Sequence, residues 1–219
     1  AVFSNGNKWE SEFLGLIKTN DSIIINKEDL PKNFINKSVF IFMSENKITN
    51  FTQLPILKNE MNSTPEWRSN LKITNKHTST SYQGEFPDIL INKNLSILSC
   101  SPMIQNYGNI SNYLFLVNLR QDPKKISFVV ELLNSNKQTL AEFQVKTNTV
   151  NFINLSKYII NAKDFVFIVR TKKYGGIPIY FSHSLDEKKL SLEHTHPPSS
   201  YLIFGDTMTF QKKKKLFWS

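Results

Sequence analysis

From Trp67 onward the chain is a succession of short β-branched and aromatic runs separated by turn residues, and no stretch between them is long enough for a packed helix. Runs of this length and spacing build antiparallel sheets rather than strand-helix-strand units. Strands are expected over 71–74, 96–100, 113–119, 126–133, 139–145, 150–153, 165–170, 177–183, 190–196, 201–204 and 207–211. The turn chemistry agrees: Gln121-Asp122-Pro123-Lys124, Asn134-Ser135-Asn136 and Gly175-Gly176 fall between the runs, and each supplies residues that tolerate tight reversals. Residues 126–132 and 139–145 read as one hairpin, the second arm alternating apolar with polar. The expectation is an all-β protein, a jelly-roll-like antiparallel β-sandwich over residues 67–219.

Residues 1–66 read as a mixed N-terminal extension packed on that sandwich. Trp9, Phe13, Leu16 and Ile17 fall on one face at helical spacing, with Asn5 or Asn7 as a cap, so a short helix is expected. Two strands are expected at 22–25 and 39–43, and the polar stretch 44–66, with Pro55 and Pro65, reads as a connection. With 40% hydrophobic residues in 219, the chain has enough apolar material for one sizeable core. The longest uninterrupted apolar runs, such as 114–117, fall far short of the roughly 20 residues of a membrane-spanning helix. A soluble protein without a membrane span is therefore expected, either cytoplasmic or exported after removal of a leader. The start at Ala1-Val2-Phe3 carries no signal-peptide pattern. Seven Asn-x-Ser/Thr triplets exceed only slightly what the Asn, Ser and Thr content gives by chance.

The net charge is +9, carried by 24 Lys and three Arg. Lysine is a point charge attracted to any polyanion, whereas guanine and phosphate forks are read by arginine. Sequence-specific nucleic-acid readout is thus disfavoured, and a glycan or other polyanion is the partner the charge allows. Residues 1–110 carry 11 basic and 10 acidic groups while residues 111–219 carry 16 and 8, so an anionic partner should meet the second half. Lys172, Lys173, Lys188, Lys189 and Lys212–Lys215 are the candidates. For Lys212–Lys215 beside Trp218 the favoured reading is protection of an edge strand from pairing, with Phe217 or Trp218 docked on the core.

Two segments carry candidate chemistry. In Thr78–Glu85 small hydroxyls, Tyr82, Gln83 and Glu85 lie close together beside Gly84. That mixture suits a sugar, with Tyr82 as stacking face and Gln83 and Glu85 bonding hydroxyls. The plain alternative is a Ser/Thr-rich loop. In the second segment, His194 and His196 flank Thr195. On a strand both imidazoles would share a face and could chelate one divalent transition metal. The alternative is two hydrogen-bonded histidines at a strand end.

His183 does not complete that site. A hairpin turning near Asp186 and Glu187 pairs His183 with Leu190 and leaves His194 four pairs away, roughly 13 Å. Glu85, with His77 as a substitute, is the third ligand the sequence offers. Cys100 stands alone, so no intramolecular disulfide forms, and it reads as a small side chain at a strand end. No serine elbow, phosphate-cradling loop or dinucleotide fingerprint occurs among the seven glycines. Three function classes remain. The first is a carbohydrate-binding β-sandwich, including one for an acidic polysaccharide. The others are a metal-dependent enzyme built on His194 and His196 in a jelly-roll or cupin-like core, and a structural subunit of a larger assembly.

Overall fold

The computed structural model describes residues 1–18, 20–41, 52–54, 69–84, 98–101, 109–158, 167–171, 174 and 177–194. Beside three single turns of 3-10 helix at Lys27–Asp29, Lys32–Phe34 and Ser156–Tyr158, the described residues form twelve strands: β1 (Val2–Ser4), β2 (Trp9–Ser11), β3 (Ser69–Thr74), β4 (Ser79–Gly84), β5 (Leu98–Ser101), β6 (Ile110–Asn118), β7 (Ser127–Leu133), β8 (Thr139–Lys146), β9 (Thr149–Asn154), β10 (Phe167–Thr171), β11 (Ile177–Ser184) and β12 (Leu190–His194). They form two four-stranded antiparallel sheets, ordered β5-β10-β7-β8 and β12-β11-β6-β9, and two hairpins, β1-β2 and β3-β4. The protein is all-β.

β6 shows why the sheets face each other. Asn112, Leu114, Leu116 and Asn118 are buried while Tyr113, Phe115 and Val117 between them are only half-buried, the period-two pattern of a strand with one face in a core. Leu114 and Leu116 join Ile153 of β9 and Tyr180 of β11 on one side. Phe128, Val130 and Leu132 of β7, Val145 of β8 and Val169 of β10 meet them from the other sheet in a single cluster. Burying each such side chain contributes about 1.5–3 kcal/mol, so this shared layer holds the two sheets together.

One end of the paired sheets is closed by polar clamps. Thr147 and Asn148, wholly buried in the β8–β9 turn, satisfy the backbone of the connection that leads into β7. The Thr147 amide donates to the Ile126 carbonyl (2.9 Å), its hydroxyl donates to the Lys124 carbonyl (2.8 Å) and also accepts from the Ile126 amide (2.9 Å). Asn148 donates to the carbonyls of Asp122 (2.6 Å) and Lys124 (3.1 Å) and accepts from the Arg120 amide (2.6 Å). Its φ of 54° lies in the left-handed region that Asn tolerates better than most residues.

The N-terminal segment packs on this same end. Trp9 is wholly buried in a cluster with Val2, Phe40, Leu54 and Leu119, against which Val117 and Val150 also pack. Its indole Nε1 donates to the Gln121 carbonyl (3.0 Å), and the Ser4 hydroxyl donates to the Pro123 carbonyl. At the far edge of the second sheet, β4 lies against β12. Ile73 of β3 packs on Ile179 and Leu192, and the Asn75 side chain donates to the Glu187 carbonyl (2.8 Å).

Three expectations for local structure are corrected. No helix forms over residues 5–17: Trp9 lies in β2, and Asn5 accepts from the amides of Asn7 and Lys8. That bond pattern caps a hairpin turn instead of a helix start, with Gly6 at φ 100° supplying the reversal. Residues 22–25 form no strand, and of 39–43 only Phe40 pairs, as an isolated bridge to Val2, with residues 42–43 outside the described set. Ser79–Gly84, which none of the expected strands covers, is a strand paired with β3 throughout its length. Thr and Tyr have high strand propensity, and the Asn75 side chain builds the turn by accepting from the amides of His77 and Thr78. The strands expected at 201–204 and 207–211 lie outside the described residues.

Candidate functional site

Antiparallel register places aromatic residues side by side on the face of β12-β11-β6-β9 that points away from the shared core. Phe181 of β11 pairs with Tyr113 of β6, and Phe115 of β6 pairs with both Ile179 of β11 and Phe152 of β9. Tyr113 stacks on Phe152 (centroids 4.9 Å, 17°) and, diagonally, on His183 (5.6 Å, 8°). Phe115 lies 4.9 Å from Phe152, and Phe181 lies 5.7 Å from His183. Phe152 is 58% exposed, which is uncommon for a phenylalanine in the middle of a strand.

The His183 Nδ1 lies 3.1 Å from the Ser184 carbonyl. Because a carbonyl oxygen can only accept, Nδ1 is the donor in that contact and fixes the orientation of the ring. The result is a row of rings stacked and tilted against one another across the strands, with His183 as its polar corner.

Phe152 belongs to a second feature as well. Along the open edge where β8 and β9 meet runs a groove of about 620 Å³, lined by Phe143, Phe152 and Tyr158 together with Glu142, Gln144 and Asn154. Its floor is held in place: the Asn154 side chain accepts from the Ser156 amide (2.9 Å), and the Ser156 hydroxyl accepts from the Asn112 amide (2.9 Å). Lys157 Nζ lies 4.8 Å above the Tyr158 ring. Aromatic faces thus adjoin carboxylate, amide and ammonium groups, the pairing that a polar ligand with an apolar face requires.

The residues singled out from the sequence, where they are described, lie on other elements. Tyr82 and Gln83 pair with Leu71 and Asn70 in the β3–β4 ladder, and Glu85 lies outside the described residues. His77 is exposed at the turn of that hairpin. His183 pairs with Leu190, and His194, the last residue of β12, pairs with Ile179 four pairs along, as the turn geometry requires. His196 lies outside the described residues. Because β4 lies against β12, the strand carrying Tyr82 and Gln83 neighbours the one that ends in His194. Among the described residues, no three His, Cys, Asp or Glu side chains come together as a metal site.

Of the lysines expected to cluster, Lys172, Lys173 and Lys212–Lys215 are outside the described set. Lys188 lies 4.0 Å from Asp186, both exposed. The Asp186 carboxyl is held below its ordinary value by hydrogen bonds from the Ser184 hydroxyl (2.5 Å) and the Lys188 amide (3.2 Å). This is turn chemistry of the β11–β12 hairpin.

Sequence reasoning missed Tyr113, Phe115, Phe152, Phe181 and His183 as a group. The available signal was aromatic residues two apart in runs already expected to be strands, at 113 and 115 and again at 181 and 183. No protein-family model, curated protein or solved structure matches the chain. Among the described residues, no helix is long and apolar enough to cross a membrane.

Proposed function

We propose that this chain is a glycan-binding protein built on a jelly-roll-like double-sheet sandwich, and that its ligand lies across the outer face of β6, β9 and β11. The observation that carries the reading is Phe152, exposed in mid-strand and shared between the aromatic surface and the edge groove. Sugar rings present an apolar face to stack on an aromatic and a rim of hydroxyls to bond, and this surface offers both. Tyr82 and Gln83, on the hairpin strand beside β12, and Glu85, which follows them in sequence, belong to the same proposal as ligand contacts. The test is a glycan array probed with the natural protein and with Phe152→Ala. Binding to a defined glycan class that falls about tenfold in the variant supports the reading, in line with about 1–2 kcal/mol for a stacked ring. An array without signal for the natural protein removes it.

A second reading has its own observation. Phe13, Leu16 and Ile24 are 59%, 87% and 82% exposed, more apolar surface than a lone chain usually leaves in one segment. A structural subunit of an assembly would cover it. Light scattering across a concentration series tests this: a single monomeric mass throughout argues against self-assembly through that segment.

A further inference from the structure

Around the clamped β8–β9 turn, three separate stretches of backbone bring lysines together. Lys125 sits between two residues whose backbone groups are bonded to Thr147. Lys146 immediately precedes Thr147 and is itself fixed by Asn151, which accepts from its amide and donates to its carbonyl (2.9 Å each). Lys37 arrives from the N-terminal segment. Its neighbour Ser38 accepts from the Val150 amide (3.1 Å), and its own Nζ lies 5.9 Å over the Phe3 ring. All three residues are exposed, and each adjoins or takes part in the hydrogen bonds just described.

No acidic group offsets them in the described structure. Asp122, on the adjoining connection, is engaged by the Arg120 guanidinium through Nε (3.1 Å) and Nη2 (2.9 Å) and by the Lys124 amide (3.1 Å). Like charges brought to one place repel, and a bound anion would turn that repulsion into attraction. We propose that Lys37, Lys125 and Lys146 form a subsite for the sulfate or carboxylate groups of an acidic polysaccharide whose sugar rings lie on the Phe152 surface. The Lys125 ammonium is held below its ordinary value, first by desolvation and then by the charges of Lys37 and Lys146, and a bound anion would relieve both like-charge terms.

The geometry makes one ligand span both features. β9 leaves the lysine cluster at Thr149 and reaches Phe152 three residues later, about 10 Å at the rise of a strand. A flexible polyanion such as single-stranded nucleic acid would also meet lysines beside aromatics, but the groove beyond Phe152 mixes Glu142, Gln144, Asn154 and Lys157, donors and acceptors that suit the hydroxyls of a sugar better than a uniformly charged phosphate backbone.

This inference rests on the glycan reading, and the experiment separates the two. Affinity is measured for heparin, for the same polymer fully desulfated and N-acetylated, and for a single-stranded oligonucleotide of matched charge. The proteins are the natural chain, the triple variant K37Q/K125Q/K146Q, its charge-keeping counterpart K37R/K125R/K146R, and Phe152→Ala.

The expected result is tighter binding to heparin than to its desulfated form. The Gln variant should lose about tenfold on heparin only, the Arg variant should lose none of it, and Phe152→Ala should weaken both polymers. Heparin binding untouched by the Gln variant, or no preference for the sulfated polymer, overturns the subsite and leaves the glycan reading standing. Equal affinity for the oligonucleotide overturns the assignment to polysaccharide. Failure of every glycan, here and on the array, overturns both.

Discussion

Replacing Trp9 tests whether the N-terminal hairpin is part of the folded core. The indole is wholly buried, meets Phe40 edge-on at 6.3 Å and packs with Leu54 and Leu119. Truncation to Ala removes that packing and leaves a cavity, which costs about 3–5 kcal/mol. The hydrogen-bond loss is the smaller part, because the Gln121 carbonyl that accepts from Nε1 also accepts from the Leu54 amide (2.8 Å) and so keeps a partner. Trp9→Phe, which keeps a ring but no donor, should therefore cost only about 1–2 kcal/mol.

For a chain of this length each kcal/mol moves the melting temperature by about 2–4 °C. The Ala variant should then melt about 6–20 °C lower and the Phe variant a few degrees lower, both in a single transition followed by circular dichroism. A Trp9→Ala protein melting within 2 °C of the natural chain would refute the reasoning. So would the loss of a separate early transition while the main one stayed in place, since either result would make the hairpin an independent attachment.

The paired sheets, the turns and the metal question each yield a further test. Glu131→Gln removes one partner of a largely buried bidentate pair, in which Arg170 Nε and Nη2 reach the carboxylate at 2.7 and 3.1 Å; a loss of about 2 kcal/mol in urea unfolding is expected, and no change would show the pair to be dispensable. Asp186 has a depressed pKa in the folded chain, so its contribution is present above the ordinary aspartate value and lost as pH falls through the depressed one. Its carboxyl carbon should titrate below the ordinary value by NMR in the natural chain and closer to it in Ser184→Ala; identical midpoints would remove the hydroxyl as the main cause. Glycan binding should survive dialysis against EDTA, whereas its loss, with a transition metal recovered at one per chain, would hand the chemistry to His194, His196, Glu85 and His77.

The strands of the two sheets were legible because their faces are chemically different. In β6 the alternation of Leu with aromatic residues, and in β8 that of apolar with polar residues, mark a surface buried on one side. The β11–β12 register was legible too, since a short turn leaves little freedom in which residues oppose each other, and His183 indeed meets Leu190. What escaped was decided by contacts distant in sequence. Trp9, Phe13, Leu16 and Ile17 have helical spacing, but Trp9 gains more by entering a cluster with Leu119 and Leu54 than a short isolated helix could return. Ser79–Gly84 escaped as a strand for a different reason, because its polar run lacks the apolar alternation that marks a buried face, although it pairs with β3 throughout. The aromatic surface drew on residues as far apart as Tyr113 and His183, which only strand pairing brings together.

The measurement that bears most directly on the account is the affinity of the natural chain and of Phe152→Ala for the best glycan found on the array, with melting curves recorded for both. Phe152 is 58% exposed, so its truncation should move the melting temperature by no more than a few degrees. The account predicts affinity lower by about tenfold in a variant that is otherwise as stable as the natural protein. Unchanged affinity in a fully folded variant would contradict it, because the ligand would then lie away from the outer face of β6, β9 and β11.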